Sequence, residues 1–397
     1  MNNIFGDDEE LLNLEEITGA QREGAPAATF AAWHKPRKQF VRKSQWWFHL
    51  EYLLTRYPEY EEIETIKYFG LPGSDLLDVS YFSRQLSLSA QYSNKKIFVH
   101  GFIDSAKGKE AADLRLSALL DRDNVDSGSK VDHFNFQAIA ASNSLAYRKI
   151  KNTGAYHLVN LDFCDGVFKQ TTIDSMMNLL VLQLNKILDT PWLLFLTTRA
   201  DKSGITQELM AALAGIFSDG VKSDQDFLKA IEEFGERIRH LIPNTNDIND
   251  EEVVSASELS EILQVCFVFW LIKTVHAYDG RMEITSSMKY KVHEGNDFPD
   301  MYSYVIRITK KSLVKPDELG LAKAPAVSVG NAESSKVIDK TKAVEKLCKA
   351  LDIDDLLSKN LPIRNECADE MKRLLEEAGW NTVGYDAQMG IDRATVG

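Results

Sequence analysis

Four residues near the middle of the chain, Asp162-Phe163-Cys164-Asp165, follow the apolar run of YHLVNLDFCDG. Two carboxylates, an aromatic ring and a thiol at the end of a buried-strand pattern are residue types that carry chemistry, because open α/β sheets bind ligands outside the carboxyl ends of their strands. Phe163 can stack on a planar substrate while Asp162 or Asp165 accepts a hydrogen bond from an exocyclic amine. The alternative for the acids is a cap on the following helix. Cys164 has no base near it in sequence to make it a nucleophile, and a small packed hydrophobe is its plainer role.

Two further stretches could serve the same place. In KYFGLPGSDLLDV, residues 67–79, a strand pattern ends in Gly70 and Gly73 and passes at once into a helix, which lets backbone approach a ligand and aims N–H groups at it. The alternative is a tight turn with Ser74 or Asp75 as the helix cap. In FVHGFID, residues 98–104, Asp104 stands about 30 residues beyond the glycine turn, where an acid can accept hydrogen bonds from both hydroxyls of a ribose. Its alternative is again a helix cap, and His100 within that apolar run reads as a packed histidine. A fourth stretch, WHKPRKQFVRKSQWW, sets Lys35, Arg37, Lys38, Arg42 and Lys43 among Trp33, Trp46 and Trp47. Cations and indoles so interleaved can grip a nucleic-acid backbone and stack bases, or form the solvated face of a helix whose rings dock on the core.

The elements that must position these residues alternate. Short β-rich stretches (TIKYFGLPG, KKIFVHGFID, VDHFNFQAI, YHLVNLDF, WLLFLTT) are each separated from the next by a helical pattern, as in a parallel sheet with helices on both faces. Residues 204–278 read as a helical insertion, and MEITSSMKYKV with MYSYVIRITKK as a terminal antiparallel pair. Ahead of the sheet, Phe40, Trp47, Leu50 and Leu54 fall at helical spacing, with Pro58 as the stop. On that spacing Arg37 and Lys38 face water.

The organisation expected is therefore a mobile acidic tail over 1–32, a basic and aromatic helix over 33–59, one sheet domain over 60–310, a linker over 311–340 and a small helical segment over 341–397. The 397 residues carry a net charge of -13, which argues against broad binding to phosphate backbones but leaves room for a local basic stripe. Four scattered cysteines without a C-x-x-C signal neither a metal site nor a disulfide framework, and that usage suits a reducing cytoplasm. The acidic start does not read as a signal peptide, and the apolar stretch VCFVFWLI is too short to span a bilayer.

A glycine turn after strand one, an acid after strand two, D-F-C-D after strand four and a closing antiparallel pair resemble the class I S-adenosylmethionine-dependent methyltransferase fold over roughly 60–310. Within that class NLDFCDG and WLLFLTTRAD are similar to tRNA guanine dimethyltransferases and to bacterial three-Cys-motif partner proteins. The resemblance implies a Rossmann-like sheet ordered 3-2-1-4-5-7-6 with the last strand antiparallel. It implies S-adenosylmethionine at Gly70, Gly73 and Asp104, and an acceptor amine at Asp162 and Phe163. It also implies either of two functions. One is a non-catalytic, degenerate subunit of a bacterial multi-protein complex, of the antiviral or mobile-element type. The other is an active nucleic-acid N-methyltransferase. The chain departs from the pattern in lacking a proline after Asp162, an acid before the glycine turn and a third glycine.

Overall fold

The computed structural model describes residues 29–186, 190–202, 205–249, 252–293, 297–310, 340–391 and 393. The apolar, β-branched and aromatic runs become β1 (Thr65–Gly70), β2 (Lys96–Ile103), β3 (Lys130–His133), β4 (Leu158–Gly166) and β5 (Trp192–Arg199), all parallel where they pair. Then come β6 (Gly280–Tyr290) and β7 (Met301–Lys310). β7 runs antiparallel between β5 and β6. The order is β3-β2-β1-β4-β5-β7-β6-β8, so the doubly wound arrangement expected from the sequence is the one present, with one strand added. The addition, β8 (Leu351–Asp352), is a two-residue edge strand from the carboxyl-terminal segment. β3 is shorter than its sequence pattern: FNFQAI leaves the ladder and turns into a 3-10 segment at Phe136–Ala140, where Asn135 accepts the Gln137 N–H.

Successive residues of a buried strand point to opposite faces, and the core divides accordingly. On the first face Phe69, Val159, Leu161, Leu194 and Leu196 meet α5 (Leu145–Thr153), α6 (Gln170–Asn185), α7 (Gln207–Ser223) and α9 (Ala256–Ala277). The insertion is helical as read, with α8 (Gln225–Phe234) and a 3-10 segment (Arg239–Asn249) between α7 and α9. A Ser255–Glu258 capping box starts α9, whose stretch 262–272 is apolar nearly all round because it runs through the core.

The second face carries Ile66, Tyr68, Val99, Leu158, Leu193 and Phe195. It is covered by α3 (Leu77–Leu88), α4 (Ala106–Leu120) and a continuous helical run. That run is α1 (Pro36–Val41), a π-helical stretch (Arg42–Trp47) and α2 (Phe48–Arg56). It is buried on two sides, since the carboxyl-terminal helices lie over it. After α10 (residues 340–348) come α11 (Ile353–Lys359), α12 (Leu361–Glu377) and α13 (Tyr385–Gln388). Ile353, Leu357, Cys367, Met371, Leu374, Leu375 and Tyr385 join the core of this face.

The carboxyl-terminal segment is helical as expected, and its described part, residues 340–391, completes this core. Of the supposed tail, Phe30 is buried edge-on against Tyr385, whose hydroxyl donates to the His34 carbonyl. Residues 1–28 and 311–339, the rest of that tail and nearly all of the linker, lie outside the described residues.

Candidate functional site

The carboxyl ends of β1, β2, β3 and β4 surround a cleft of about 370 Å³. Gly73, Asp104, Asp162, Phe163 and Asp165 all line it, with Phe102, Phe134, Phe136, Asn135, Gln137, Lys169 and Thr172. The sheet thus gathers five of the six residues singled out after the strands. The exception is Gly70. A Cβ there would lie 2.8 Å from the Asn160 carbonyl oxygen and against the Tyr68 hydroxyl, so this glycine serves close packing between β1 and β4. Gly73, with φ at +66°, has open space where a side chain would stand.

The alternatives weighed for the acids resolve differently. Ser105, not Asp104, caps α4 by accepting the Gly108 N–H, and the exposed Asp104 carboxylate is left at the cleft. Neither Ser74 nor Asp75 caps α3: its cap is Leu76, in the left-handed region at φ 49°. Asp75 instead accepts from Trp380 Nε1 at 3.0 Å. Burial works to raise the Asp75 carboxyl, but the His34 ring nitrogen 3.5 Å away and the hydrogen bond from Trp380 hold it below the usual range.

At the end of β4 the pairing with β5 breaks register between Asp162 and Gly166. Such an irregularity frees residues from the ladder and re-aims them. Phe163 packs on Phe136 with ring centroids 5.3 Å apart, and exposed Asp165 pairs with Lys169 at 3.2 Å. The side chain of Cys164 lies outside the described residues. Asp162 does not point freely into the cleft, because its Oδ1 accepts from Lys38 Nζ at 2.6 Å.

That bond corrects the reading of the basic run. Arg37 and Lys38 do not face water, with Arg37 only 11% exposed, and Arg42 is buried with them. The Lys38 side chain is 4% exposed, with its ammonium 4.5 Å from the centre of the Trp46 ring. Arg42 Nε donates to Asp78 Oδ1 at 2.5 Å, and Asp78 Oδ2 accepts from Asn160 Nδ2 at 3.2 Å. Arg37 pairs with Asp354 at 3.0 Å, and Lys43 with Glu366 and Glu370 at 2.7 and 3.0 Å. The reason is the second cover: a helix with the sheet on one side and α11 and α12 on the other has little solvated face.

Sequence reasoning missed the acids that answer this run. Burial works against the Lys38 ammonium, and Asp162, Tyr290 and Asp78 outweigh it, so the group is held above its ordinary value. Burial pushes the Asp78 carboxyl up, against the pull of Arg42. A signal was present in the spacing. Lys38 and Arg42 stand four apart on one helix, and Asn160 and Asp162 two apart on one strand, so each pair shares a face. His100 is packed, as expected, between Tyr156 Oη at 2.6 Å and Asp132 Oδ2 at 3.0 Å, and burial lowers it to about 4.

Chemically, the cleft offers aromatic walls, an uncapped carboxylate at Asp104 and side-chain amides at Asn135 and Gln137, a set suited to a planar base with its sugar. The turn after β1 is less suited to a charged tail. The Leu71 N–H is donated to the Asn160 carbonyl at 3.1 Å, Pro72 has no N–H, and its ring abuts Gly101. Among the described residues no group of three or more His, Cys, Asp or Glu is placed to hold a metal ion.

A family model described as PP_RS20740-like matches residues 27–389. No curated protein matches the sequence. Among solved structures, the chain is similar to an O-methyltransferase family protein from Burkholderia thailandensis, at 12% identity and TM-score 0.31 over 70% of this chain. It spans 59% of that protein's length. It is also similar to a candidate class I S-adenosylmethionine-dependent methyltransferase from Listeria monocytogenes (10%, TM-score 0.35, 81% of this chain and 74% of the other). A third is the plantazolicin methyltransferase BpumL, solved with S-adenosylhomocysteine (12%, TM-score 0.31, 70% and 85%).

Proposed function

The chain belongs to the PP_RS20740-like family, and we propose that it is a methyltransferase-like subunit that holds a nucleoside-type ligand without transferring a methyl group. The turn after β1 carries this reading. A donor-binding turn needs free N–H groups aimed at its ligand. Here Gly70 is closed by Tyr68 and Asn160, the Leu71 N–H is spent inside the protein, and Pro72 has none to give.

What the cleft keeps is the nucleoside half of such a site. Asp104 can accept from ribose hydroxyls, and the rings of Phe102, Phe134, Phe136 and Phe163 bound a planar base. Gly73 and Asp104 would hold S-adenosylmethionine, which when bound supplies an electrophilic methyl. The surface outside the cleft would then serve other protein subunits, and co-purification with the products of neighbouring genes is the check on that part.

Calorimetry with S-adenosylmethionine, S-adenosylhomocysteine and adenosine tests the ligand. Binding lost in Asp104→Ala is expected, with no label passing from a methyl-labelled donor to RNA, DNA or protein. Turnover by the pure chain would overturn the non-transferring role. The second reading is an active N-methyltransferase acting on a nucleic-acid amine, favoured by the convergence of Gly73, Asp104, Asp162 and Phe163 on one cleft. In that case orientation of donor and amine by these residues would supply much of the rate.

A further inference from the structure

The carboxyl end of β4 holds a charged group that the cleft does not explain. Lys38 Nζ lies 2.6 Å from Asp162 Oδ1 and 4.5 Å from the Trp46 ring centre. The indole is fixed by stacking on Phe195, with centroids 5.7 Å apart and planes 6° apart. A carboxylate on one side and a π face on the other is how proteins bind ammonium ions. We propose that Asp162 and Trp46 form an ammonium-binding subsite whose resident occupant is the chain's own Lys38.

The occupant is delivered by its neighbour. Arg42, one helical turn on, is locked to Asp78, and Asp78 to Asn160, two residues before Asp162 on β4. The helix is thereby registered on the strand so that Lys38 meets Asp162. An amine presented to Asp162 by a substrate must compete with an ammonium already tethered there, whose effective concentration is set by the fold. The class of ligand this subsite takes is a primary alkylammonium. The inference deepens the reading above by placing an internal amine where an acceptor amine would stand, yet its test needs no methyl donor.

Lys38→Ala removes a propylammonium group and leaves its outline. In this variant n-propylammonium should raise the unfolding midpoint saturably, on the order of 2 °C or more at millimolar concentration. Neutral 1-propanol should not, and neither should n-propylammonium added to the parent or to Lys38→Met, whose side chain fills the space. Adding Asp162→Asn to Lys38→Ala should abolish the response. An equal response to propanol, or equal responses in the parent and Lys38→Met, would overturn the subsite and leave an ordinary internal ion pair. Should Lys38→Ala fail to fold, refolding it with n-propylammonium replaces the melt: recovery supports the subsite, and no recovery overturns it. Methyl transfer by the parent would sink the non-transferring role without touching this result.

Discussion

The two faces of the sheet are covered by helices of similar extent but are specified by different physics. On the first face buried polar pairs are neutral where Gln264 meets the Tyr304 hydroxyl and Gln183 the backbone of Tyr156. On the second, Lys38, Arg42 and Asp78 are buried as charges together with half-buried Asp162. Apolar packing tolerates small shifts of a helix, whereas a buried ion must meet its partner or pay a large desolvation cost. The first face is held by volume, and the second is also held in register.

Removing one partner of the buried pair is the strongest way to test this difference. Asp78→Ala leaves Arg42 buried without a counter-charge and should lower stability by about 3–5 kcal/mol, read from urea unfolding. On the first face Leu263→Ala, at a fully buried position, should cost about 2–5 kcal/mol in proportion to the cavity it leaves. The two differ in their cure. Replacing both ions, Arg42→Met with Asp78→Leu, should restore most of the loss, because apolar isosteres of a buried pair are often neutral. If the double variant is no better than Asp78→Ala, register on the second face does not come from the ion pair.

Acid should weaken both faces through their histidines. His100 on the first face and His157 at the edge of the second are each lowered by burial from 6.5 to about 4. The Lys67 N–H donates to His157 Nδ1 at 2.9 Å, a bond that a protonated ring cannot accept. In the unfolded chain the imidazole takes up a proton near 6.5, while the folded chain refuses it until about 4. Protons therefore favour unfolding across that window, and stability present above 6.5 is lost as pH falls towards 4. His157→Gln should remove its share of the loss, on the order of 3 kcal/mol between neutral pH and pH 4, in a pH series of urea midpoints. An unchanged slope would mean that the ring already carries its proton in the fold.

Near the cleft the effects shrink. Gly73→Ala puts a side chain into open space but at a φ of +66° that disfavours any Cβ, so a loss of about 1 kcal/mol is expected from backbone strain alone. Nucleoside binding should persist in that variant if Asp104 and the aromatic wall carry it.

How much of this could be read from the chain depends on how local each signal is. β1, β2, β4 and β5 announce themselves as apolar runs with helical periods between them, which gives a parallel sheet, while its order was implied by the family resemblance. Because a parallel sheet puts its strand ends together, Gly73, Asp104, Asp162 and Phe163 could be named before the cleft was seen. Phe134 and Phe136 were hidden by an alternation that passes for strand but ends at His133. The partner of Lys38 lies 124 residues away, and that of Arg37 lies 317 away on a helix that reads as an appendage. A charged residue on an amphipathic helix looks solvated until the second cover is known. Asp78 sits where a helix's first turn welcomes an acid anyway, so its service to Arg42 left no mark.

The smallest effect expected is the sharpest comparison, because it lies on the same helical run. Lys43 is five residues from Lys38, a third exposed, and shared between Glu366 and Glu370 on the surface of α12. Exposed pairs gain little, since water screens them and two long side chains must be ordered. Lys43→Ala should therefore cost less than about 1 kcal/mol, and raising salt should erase even that. The same pairing bears on nucleic acid. Five free cations would give binding that falls with salt at a slope near the number of phosphates met. With Lys38 and Arg42 buried, and Arg37 and Lys43 turned to acids of the carboxyl-terminal segment, Lys35 alone of the five has no ion pair among the described residues. A salt titration of the parent with single-stranded RNA should accordingly show a slope of about one or no binding. A slope near five would mean that α11 and α12 release the run when nucleic acid arrives, and that the second face is less firmly held than its ions suggest.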